Sequence, residues 1–270
     1  MATLEAAFFD LGYLETLAQQ QTAMHRLDSR AKLLTTLILL VTVMSFQRYE
    51  LSALMPFWLY PIITARAAQL PLADLLKRSA LALPFVGLIG ILNPLFDQAI
   101  VMHIGTLGIS GGWLSFLSIL LRSLLAVCTT LVLIATTGFH GICLAIERLG
   151  APNVFAVQLL FVYRYLFVLL DEASRLVRAR ALRSFAGNGF GLKAWSSLIG
   201  HLLLRTLDRA RRIHLAMLAR GFDGTIRLAR PQRIRCADVA FLLGWSSLFV
   251  MMRRNNLATL IGSVLTQFLP

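Results

Sequence analysis

The sequence predicts an all-α integral membrane protein with about five transmembrane helices, two long amphipathic helices on the cytoplasmic side and a short connecting helix. Hydrophobic residues make up 57% of the chain and charged residues only 14%, whereas an average soluble domain is about a quarter charged. Fourteen Lys and Arg side chains lie between Arg175 and Arg235 against two acidic ones, so this segment holds nearly all of the net charge of +13. A basic segment in an apolar chain is typical of a cytoplasmic loop of a membrane protein.

The composition disfavours several other classes of protein. A pI near 10.9 would suit a nucleic-acid binder, but such proteins are hydrophilic, so nucleic acid is not an expected partner. The three cysteines are widely spaced, which favours packing roles over a disulfide framework or metal site. The five histidines lack metal-ligand spacing, and no Walker lysine motif, nucleophile–base set or paired-carboxylate arrangement is present. A membrane-embedded enzyme is therefore disfavoured.

Apolar segments divide the chain into five predicted regions. A cytoplasmic lead-in covers 1–32, and the N-terminus lacks the features of a secretory signal peptide. Four transmembrane helices lie within 33–139, a cytoplasmic domain covers 140–235, a fifth transmembrane helix covers 236–254, and a tail of unassigned role covers 255–270. The four segments before the cytoplasmic domain are 33–46, 51–65, 79–96 and 113–139. The first two are short for the roughly 20 residues that a span needs.

The distribution of Lys and Arg predicts the orientation. The lead-in and the 66–78 loop are basic, whereas the 97–112 loop has no Lys or Arg. Because basic loops stay in the cytoplasm, we expect the N-terminus inside and the 97–112 loop outside. Four crossings then return the chain to the cytoplasm near His140.

The segment 152–170 is apolar enough to span a membrane, but we expect that it does not cross. A crossing would place the basic segment outside, and Arg164 would lie in lipid at a high cost. We therefore predict a long helix over 153–185, packed against other protein.

Three glycines at 187, 189 and 191 are expected to end that helix, and a second helix is predicted over about 192–220. Its apolar residues share one face at helical spacing, and its polar residues share the other. The predicted apolar face comprises Trp195, Ile199, Leu202, Leu203, Thr206, Ala210, Ile213 and Met217, and the predicted polar face comprises His201, Arg205, Asp208, Arg211 and Arg212.

An Ala-Arg-small triplet lies near the end of each long helix: Ala179-Arg180-Ala181 and Ala219-Arg220-Gly221. The second has an ordinary explanation as a helix cap, with Gly221 in the left-handed conformation and Arg220 complementing the helix dipole. The first has no such explanation. The spacing leaves coincidence and a pair of docking sites for partner proteins equally open. The helix lengths place the two arginines tens of ångströms apart.

Four stretches resemble the transmembrane T component of energy-coupling-factor (ECF) transporters, and most closely its CbiQ-type cobalt-importer branch. They are His25-Arg26-Leu27-Asp28-Ser29-Arg30-Ala31-Lys32-Leu33, Arg164-Tyr165-Leu166 with Glu172, the triplet at 179–181, and Ala216-Met217-Leu218-Ala219-Arg220-Gly221-Phe222. The resemblance covers about 25–254. Position 29 is Ser where the family usually has Pro, and the first triplet ends in Ala181 rather than the Gly often seen.

The resemblance implies a non-catalytic coupling subunit in a bacterial cell (inner) membrane. Two cytoplasmic ATPase subunits would each engage one coupling-helix end, with Arg180 and Arg220 pairing with acidic residues. A separate CbiM-like membrane subunit would bind the substrate, with a small accessory membrane subunit as an optional addition. This chain would hold no cofactor, since ATP and Mg would bind to the ATPases. Cobalt is the substrate that the resemblance implies, with nickel or a vitamin as alternatives.

The remaining polar candidates have structural explanations. Arg122 lies inside the fourth predicted span, where an intramembrane charge indicates either function or pairing; we favour pairing with a helix carbonyl or a carboxylate. Arg164, Asp28 and Arg30 are expected to be intramembrane or structural polar groups, and membrane lipid is an expected contact of the basic segment. A permease with its own substrate site is the alternative function, although no internal inverted repeat is evident.

Overall fold

A computed structural model describes residues 12–13, 15–47, 50–96, 100–104, 107–183, 191–224 and 234–254. The elements, in chain order, are α1 (Ser29–Met44), a 3-10 helix (Ser52–Trp58), α2 (Leu59–Ala67), α3 (Leu72–Ala80), α4 (Leu83–Gly90), α5 (Leu92–Phe96), β1 (Ile100–Ile104), β2 (Leu107–Ser110), α6 (Gly111–Arg148), α7 (Asn153–Arg183), α8 (Leu192–Ala219) and α9 (Cys236–Arg254). The predicted all-α membrane fold class is confirmed.

The chain divides into two compact units. The first comprises Met1–Ala145 and Gln232–Pro270, and the second comprises Ile146–Pro231. The predicted tail 255–270 lies outside the described residues, as do Gly187 and Gly189 of the predicted turn.

The core of the first unit brings together the beginning and the end of the chain. Helix α9 packs along α1, and both contact the 3-10 helix. Phe57 and Phe249 are fully buried there, with their ring centroids 6.0 Å apart, and Tyr60 lies against Phe249 at 5.6 Å. The lead-in also packs against the rest of the first unit, because Leu17 and Met24 are buried in a second apolar cluster of that unit. The last apolar helix is therefore an integral part of the same core as the first.

The apolar segments of the first unit are more broken than the sequence predicted. Helix α1 has 16 residues, about 24 Å, which is shorter than the roughly 30 Å hydrocarbon core. The second predicted span is a 3-10 helix containing Pro56 that runs into the nine-residue helix α2. The third is divided between α3, α4 and α5, and its first two pieces meet at a bend of 40°.

Two further features of this unit were not predicted. The 97–112 loop contains a short antiparallel hairpin, β1–β2, with Ile104 opposite Leu107. Helix α6 is interrupted at Gly138, whose φ of 69° and ψ of 158° are not helical. A Cβ at this glycine would lie 3.3 Å from the Cβ of Ala18, so the lead-in packs against the break.

By length and composition, three described helices are able to cross a membrane: α6, α7 and α9, with the bent α3–α4 segment as a fourth. Helices α1 and α2 fall short of this criterion, so it selects fewer spans than the five predicted. The same criterion includes α7, whose segment 152–170 is also apolar enough in sequence to span a membrane. The expectation that α7 does not cross rests on charge distribution and stays a prediction.

We expect that a thiol introduced by Arg175→Cys is not labelled from outside intact cells. Arg175 is exposed on α7, and the basic segment that follows it favours the cytoplasm. A membrane-impermeant maleimide would be applied before and after permeabilisation, in a Cys236→Ser background because Cys236 is the exposed native thiol among the three cysteines. Trp113→Cys, next to the loop predicted outside, is the positive control. Labelling of Arg175→Cys in intact cells would overturn the predicted topology.

Candidate functional site

Helices α7 and α8 of the second unit form an antiparallel pair. The end of α7 and the beginning of α8 line one cavity together. Midway along the pair, Arg205 Nη1 lies 2.7 Å from Glu172 Oε1. At the other end the Phe161 ring lies 6.3 Å from that of Phe222, just beyond α8. The observed bounds agree with the two long helices predicted over 153–185 and 192–220.

The first triplet lies in the last turn of α7, beside a polar cavity of about 590 Å³. The cavity combines three Arg side chains and one His with Ser, Ala and Leu side chains. Its lining residues are Leu176, Ala179, Arg180, Arg183, Ser197, Leu198, His201 and Arg205. Such a concentration of Arg side chains favours carboxylate or phosphate groups, to which guanidinium groups donate paired hydrogen bonds.

The second triplet forms the C-terminal cap of α8. The Gly221 N–H donates to the Leu218 carbonyl at 3.0 Å, and the Phe222 N–H donates to the Met217 carbonyl at 3.0 Å. Gly221 has φ of +76°, and this pair of bonds defines the Schellman motif, which favours glycine at this position. The cap explanation for Ala219-Arg220-Gly221 therefore fits the geometry. The cap also holds the exposed Arg220 at the very end of the helix.

We expect Gly221→Ala to destabilise the protein by about 1–2 kcal/mol, because a Cβ is unfavourable in the left-handed region. Gly200→Ala is the matched control, since Gly200 lies within α8 with open space around its Cα. There, alanine should stabilise the helix by roughly 0.5–1 kcal/mol. Thermal unfolding of both variants in the same detergent measures the difference. Equal effects of the same sign would contradict the role of Gly221 in the cap.

The two triplets lie at opposite ends of the helix pair. Arg180 shares its cavity with Ser197 and His201, whereas Arg220 lies about twenty residues further along α8. At 1.5 Å per residue, this places the two arginines roughly 30 Å apart, as the helix lengths predicted. One small ligand is too short to contact both.

An apolar groove of about 390 Å³ lies between the same two helices. Its walls are mostly aliphatic and aromatic, with a few polar groups. They are formed by Phe161, Tyr165, Val168, Leu169, Thr206, Leu207, Arg209, Ala210, Ile213, His214, Met217 and Phe222.

The predicted division of α8 into two faces is only partly right. Thr206, Ala210, Ile213 and Met217 of the predicted apolar face do line the groove. Ile199 and Leu203 are instead more than half exposed, and Arg205 of the predicted polar face turns toward α7. Its guanidinium group forms an ion pair there with Glu172.

Asp28 belongs to a buried polar cluster in the first unit. Its Oδ1 accepts from the Arg30 N–H at 2.9 Å and so caps α1. Its own N–H donates to Asp238 Oδ1 at 2.8 Å, and Asp238 Oδ2 accepts from the Arg235 N–H at 2.7 Å. Lys32 Nζ donates to the Thr136 carbonyl at 2.9 Å. This cluster joins the beginnings of α1 and α9 to α6 near its break.

The remaining candidate residues have simpler surroundings. Arg122 donates to the backbone carbonyl of Gln47, which lies after α1; this matches the pairing interpretation, with a loop carbonyl as the acceptor. Arg164 is exposed on α7. Burial lowers the pKa of His25, whose ring lies 2.7 Å from Thr22 Oγ1.

A family model described as "CbiQ: Cobalt transport protein" matches residues 20–231, which include both long helices and both triplets. The chain belongs to the CbiQ family. Its members are membrane components of transporters, so the predicted ECF T-component resemblance is confirmed at the level of the family.

Named relatives include cobalt transport proteins and an ECF transporter component. The CbiQ protein of Salmonella typhimurium is 31% identical over 40% of this chain and 48% of its own length. The ECF transporter transmembrane protein EcfT of Listeria innocua is 26% identical over 82% of this chain and 89% of its own length. A fused cobalt transport protein, CbiMQ, of Methanocorpusculum labreanum is 28% identical over 42% of this chain and 19% of its own length.

Sequence reasoning did not single out Asp238 and Lys32 of the buried cluster. In the sequence, Lys32 is one charge of the basic lead-in and part of the stretch 25–33 that resembles the family. Asp238 lies within the predicted apolar helix 236–254. Burying a carboxylate without hydrogen-bond partners is costly. The position of Asp238 in the first turn of an otherwise apolar helix is therefore the one sequence feature that points to the buried cluster.

Proposed function

We propose that this chain is the transmembrane coupling subunit of an ATP-driven ECF-type importer for cobalt(II). It would engage two cytoplasmic ATPase subunits and transmit their closure to a separate, CbiM-like membrane subunit that binds the ion. The observation that carries this proposal is the placement of Arg180 and Arg220 at opposite ends of one antiparallel helix pair. Two equivalent partners require two separate contact points, and the roughly 30 Å between the arginines provides them.

The physical properties of the pair suit this role. Helices of 31 and 28 residues are continuous hydrogen-bonded rods, about 45 Å and 40 Å long. The Arg205–Glu172 ion pair and the Phe161–Phe222 contact join them at two points along their length. Through these contacts, a displacement at one end of the pair would be transmitted to the other.

The two arginines would bind the ATPases from different surroundings. Arg180 stands beside a cavity that also holds Arg183 and Arg205, so an acidic side chain entering there meets several guanidinium groups. Arg220 projects from a capped helix end that is exposed. Both would bind carboxylates bidentately, and ATP with Mg would bind in the ATPases, with no cofactor in this chain.

Relatives support the partners that we propose. The fused CbiMQ relative carries a CbiM name in the same polypeptide as a CbiQ name, which favours a CbiM-like subunit beside this chain. In the part of the chain that the structure describes, no group of three His, Cys, Asp or Glu side chains is placed to hold a metal ion.

A second candidate keeps the coupling role and changes the cargo. The Listeria relative matches over most of both chains and has a name that specifies no metal. A T component that serves nickel or a vitamin transporter therefore remains the alternative. Uptake of labelled cobalt and nickel by cells expressing the assembled complex distinguishes these substrates.

The coupling role itself is tested by co-isolation. The tagged chain would be expressed with candidate ATPase and CbiM-like membrane subunits from the same genome and purified in mild detergent. We expect all subunits to elute together, and labelled ion uptake to require every one of them and ATP. Uptake by vesicles that contain this chain alone would instead indicate a permease with its own substrate site.

A further inference from the structure

The groove between α7 and α8 has the size and shape of a ligand site. Its volume of about 390 Å³ lies within the roughly 300–1,000 Å³ of small-molecule pockets, which are mostly apolar with a few polar groups. Its walls run from Phe161 to Leu169 on α7 and from Thr206 to Met217 on α8, about 12 Å and 16 Å along the helices. An elongated apolar groove fits a flexible acyl chain better than a compact ring.

Four polar side chains line the groove: Tyr165, Thr206, Arg209 and His214. Arg209 is the charged one among them, and it is exposed on α8. Asp208 is the one acidic residue in the sequence of α8. Arginine binds phosphate through paired hydrogen bonds and accepts burial more readily than lysine. An apolar groove lined by an exposed guanidinium group is complementary to an amphiphile with an anionic head.

We propose that this groove binds an anionic phospholipid, with one acyl chain against the apolar walls and the phosphate at Arg209 and His214. The proposal goes beyond energy coupling, which assigns no role to the groove. The chain is a membrane protein, so such a lipid is available to it. Burial of the exposed groove walls, Leu207 among them, would stabilise the complex by the hydrophobic effect. Lipid seated here would fix the spacing of α7 and α8 along the half of the pair that leads to Arg220.

The test uses the full chain in non-ionic detergent, titrated with dioleoylphosphatidylglycerol and dioleoylphosphatidylcholine, with each lipid-bound form quantified by native mass spectrometry. We expect phosphatidylglycerol to bind about tenfold more tightly or better, as one charge-assisted contact implies. Glycerol 3-phosphate carries the head-group charge without the chain, and we expect it to bind at least a hundredfold more weakly.

Two variants locate the site. Ala210→Phe fills the groove and should weaken phosphatidylglycerol binding about tenfold or more, while Arg209→Gln should remove most of the preference over phosphatidylcholine. Matched controls on the same helix are Leu204→Phe and Arg212→Gln, whose positions are exposed and outside the groove; each should stay within about twofold of the parent chain. Circular dichroism and gel filtration establish that all four variants fold.

Three results would overturn the proposal. The first is equal affinity for the two lipids, and the second is phosphatidylglycerol binding that Ala210→Phe leaves unchanged. The third is an Ala210→Phe variant that loses another transporter subunit on purification while its lipid affinity is kept, which would assign the groove to a partner protein. The coupling role is tested separately by subunit co-isolation, so either proposal can fail alone.

Discussion

The double substitution Arg180→Glu with Arg220→Glu is expected to abolish co-isolation of the ATPase subunits, while the chain still inserts and keeps its helix content. Reversing one charge of a hydrogen-bonded interface pair costs roughly 2–5 kcal/mol, or about thirtyfold in affinity and more. The two positions lie roughly 30 Å apart, so their effects on affinity should be nearly additive. Ion uptake by the assembled complex should be lost with the ATPases.

Single substitutions reveal whether the contact has two points. A complex held by both ends of the helix pair benefits from multivalency, so Arg180→Glu or Arg220→Glu alone should leave partial co-isolation that high salt removes. Arg211→Glu is the matched control, because Arg211 is exposed on α8 outside both triplets. It should weaken co-isolation only slightly, since an exposed charge contributes little.

Conservative substitutions separate charge from geometry. Arg180→Lys and Arg220→Lys keep the charge but lose the paired hydrogen bonds of the guanidinium group, and we expect intermediate co-isolation for both. Unchanged co-isolation and uptake in the Arg180→Glu, Arg220→Glu double variant would contradict the proposed docking role. The charge of the basic segment would then serve orientation and lipid contact alone.

The long helices were predictable from the sequence because local features specify them. The predicted helix 153–185 is observed as Asn153–Arg183, and 192–220 as Leu192–Ala219. Glycine after the last periodic residue fixes the end of α8, and the cap at Gly221 confirms the physical reason. The separation of Arg180 from Arg220 follows from these lengths alone.

The transmembrane region was less predictable because hydropathy does not distinguish one straight helix from several short ones. Pro56 lies inside the 3-10 helix, and Pro84 lies in the first turn of α4. Proline lacks an N–H and disfavours the helical conformation of the residue before it. At the break of α6, a Cβ on Gly138 would lie 3.3 Å from the Cβ of Ala18 in the lead-in, a residue that is distant in sequence.

Long-range packing also decided which side of α8 faces α7. Periodicity places Arg205 among the polar residues, but its partner Glu172 is 33 residues earlier in the chain. The same limit applies to Asp28 and Asp238, which are 210 residues apart and share a hydrogen bond. Neither partner can be inferred from the surroundings of the other in the sequence.

Asp238→Ala is expected to lower the free energy of unfolding by about 3–5 kcal/mol, the range found when one member of a buried charge group is removed. The Asp238 side chain accepts from two backbone N–H groups, those of Asp28 and Arg235. It and Asp28 also stabilise the buried charge of Lys32 electrostatically. The variant would leave both donors without this acceptor and deprive the lysine of one counter-charge. The thermal midpoint should fall by roughly 10 °C.

Asp171→Ala is the matched control for this change. Asp171 makes an exposed i,i+4 ion pair with Arg175 at 2.6 Å, so its removal should cost no more than about 0.5 kcal/mol. A double-mutant cycle with Lys32→Met then separates charge from packing. If Lys32 needs Asp238 as a counter-charge, Asp238→Ala will cost less in the Lys32→Met background, because no buried ammonium group is left uncompensated. An Asp238→Ala variant as stable as Asp171→Ala would show that the cluster does not hold α1 and α9 together.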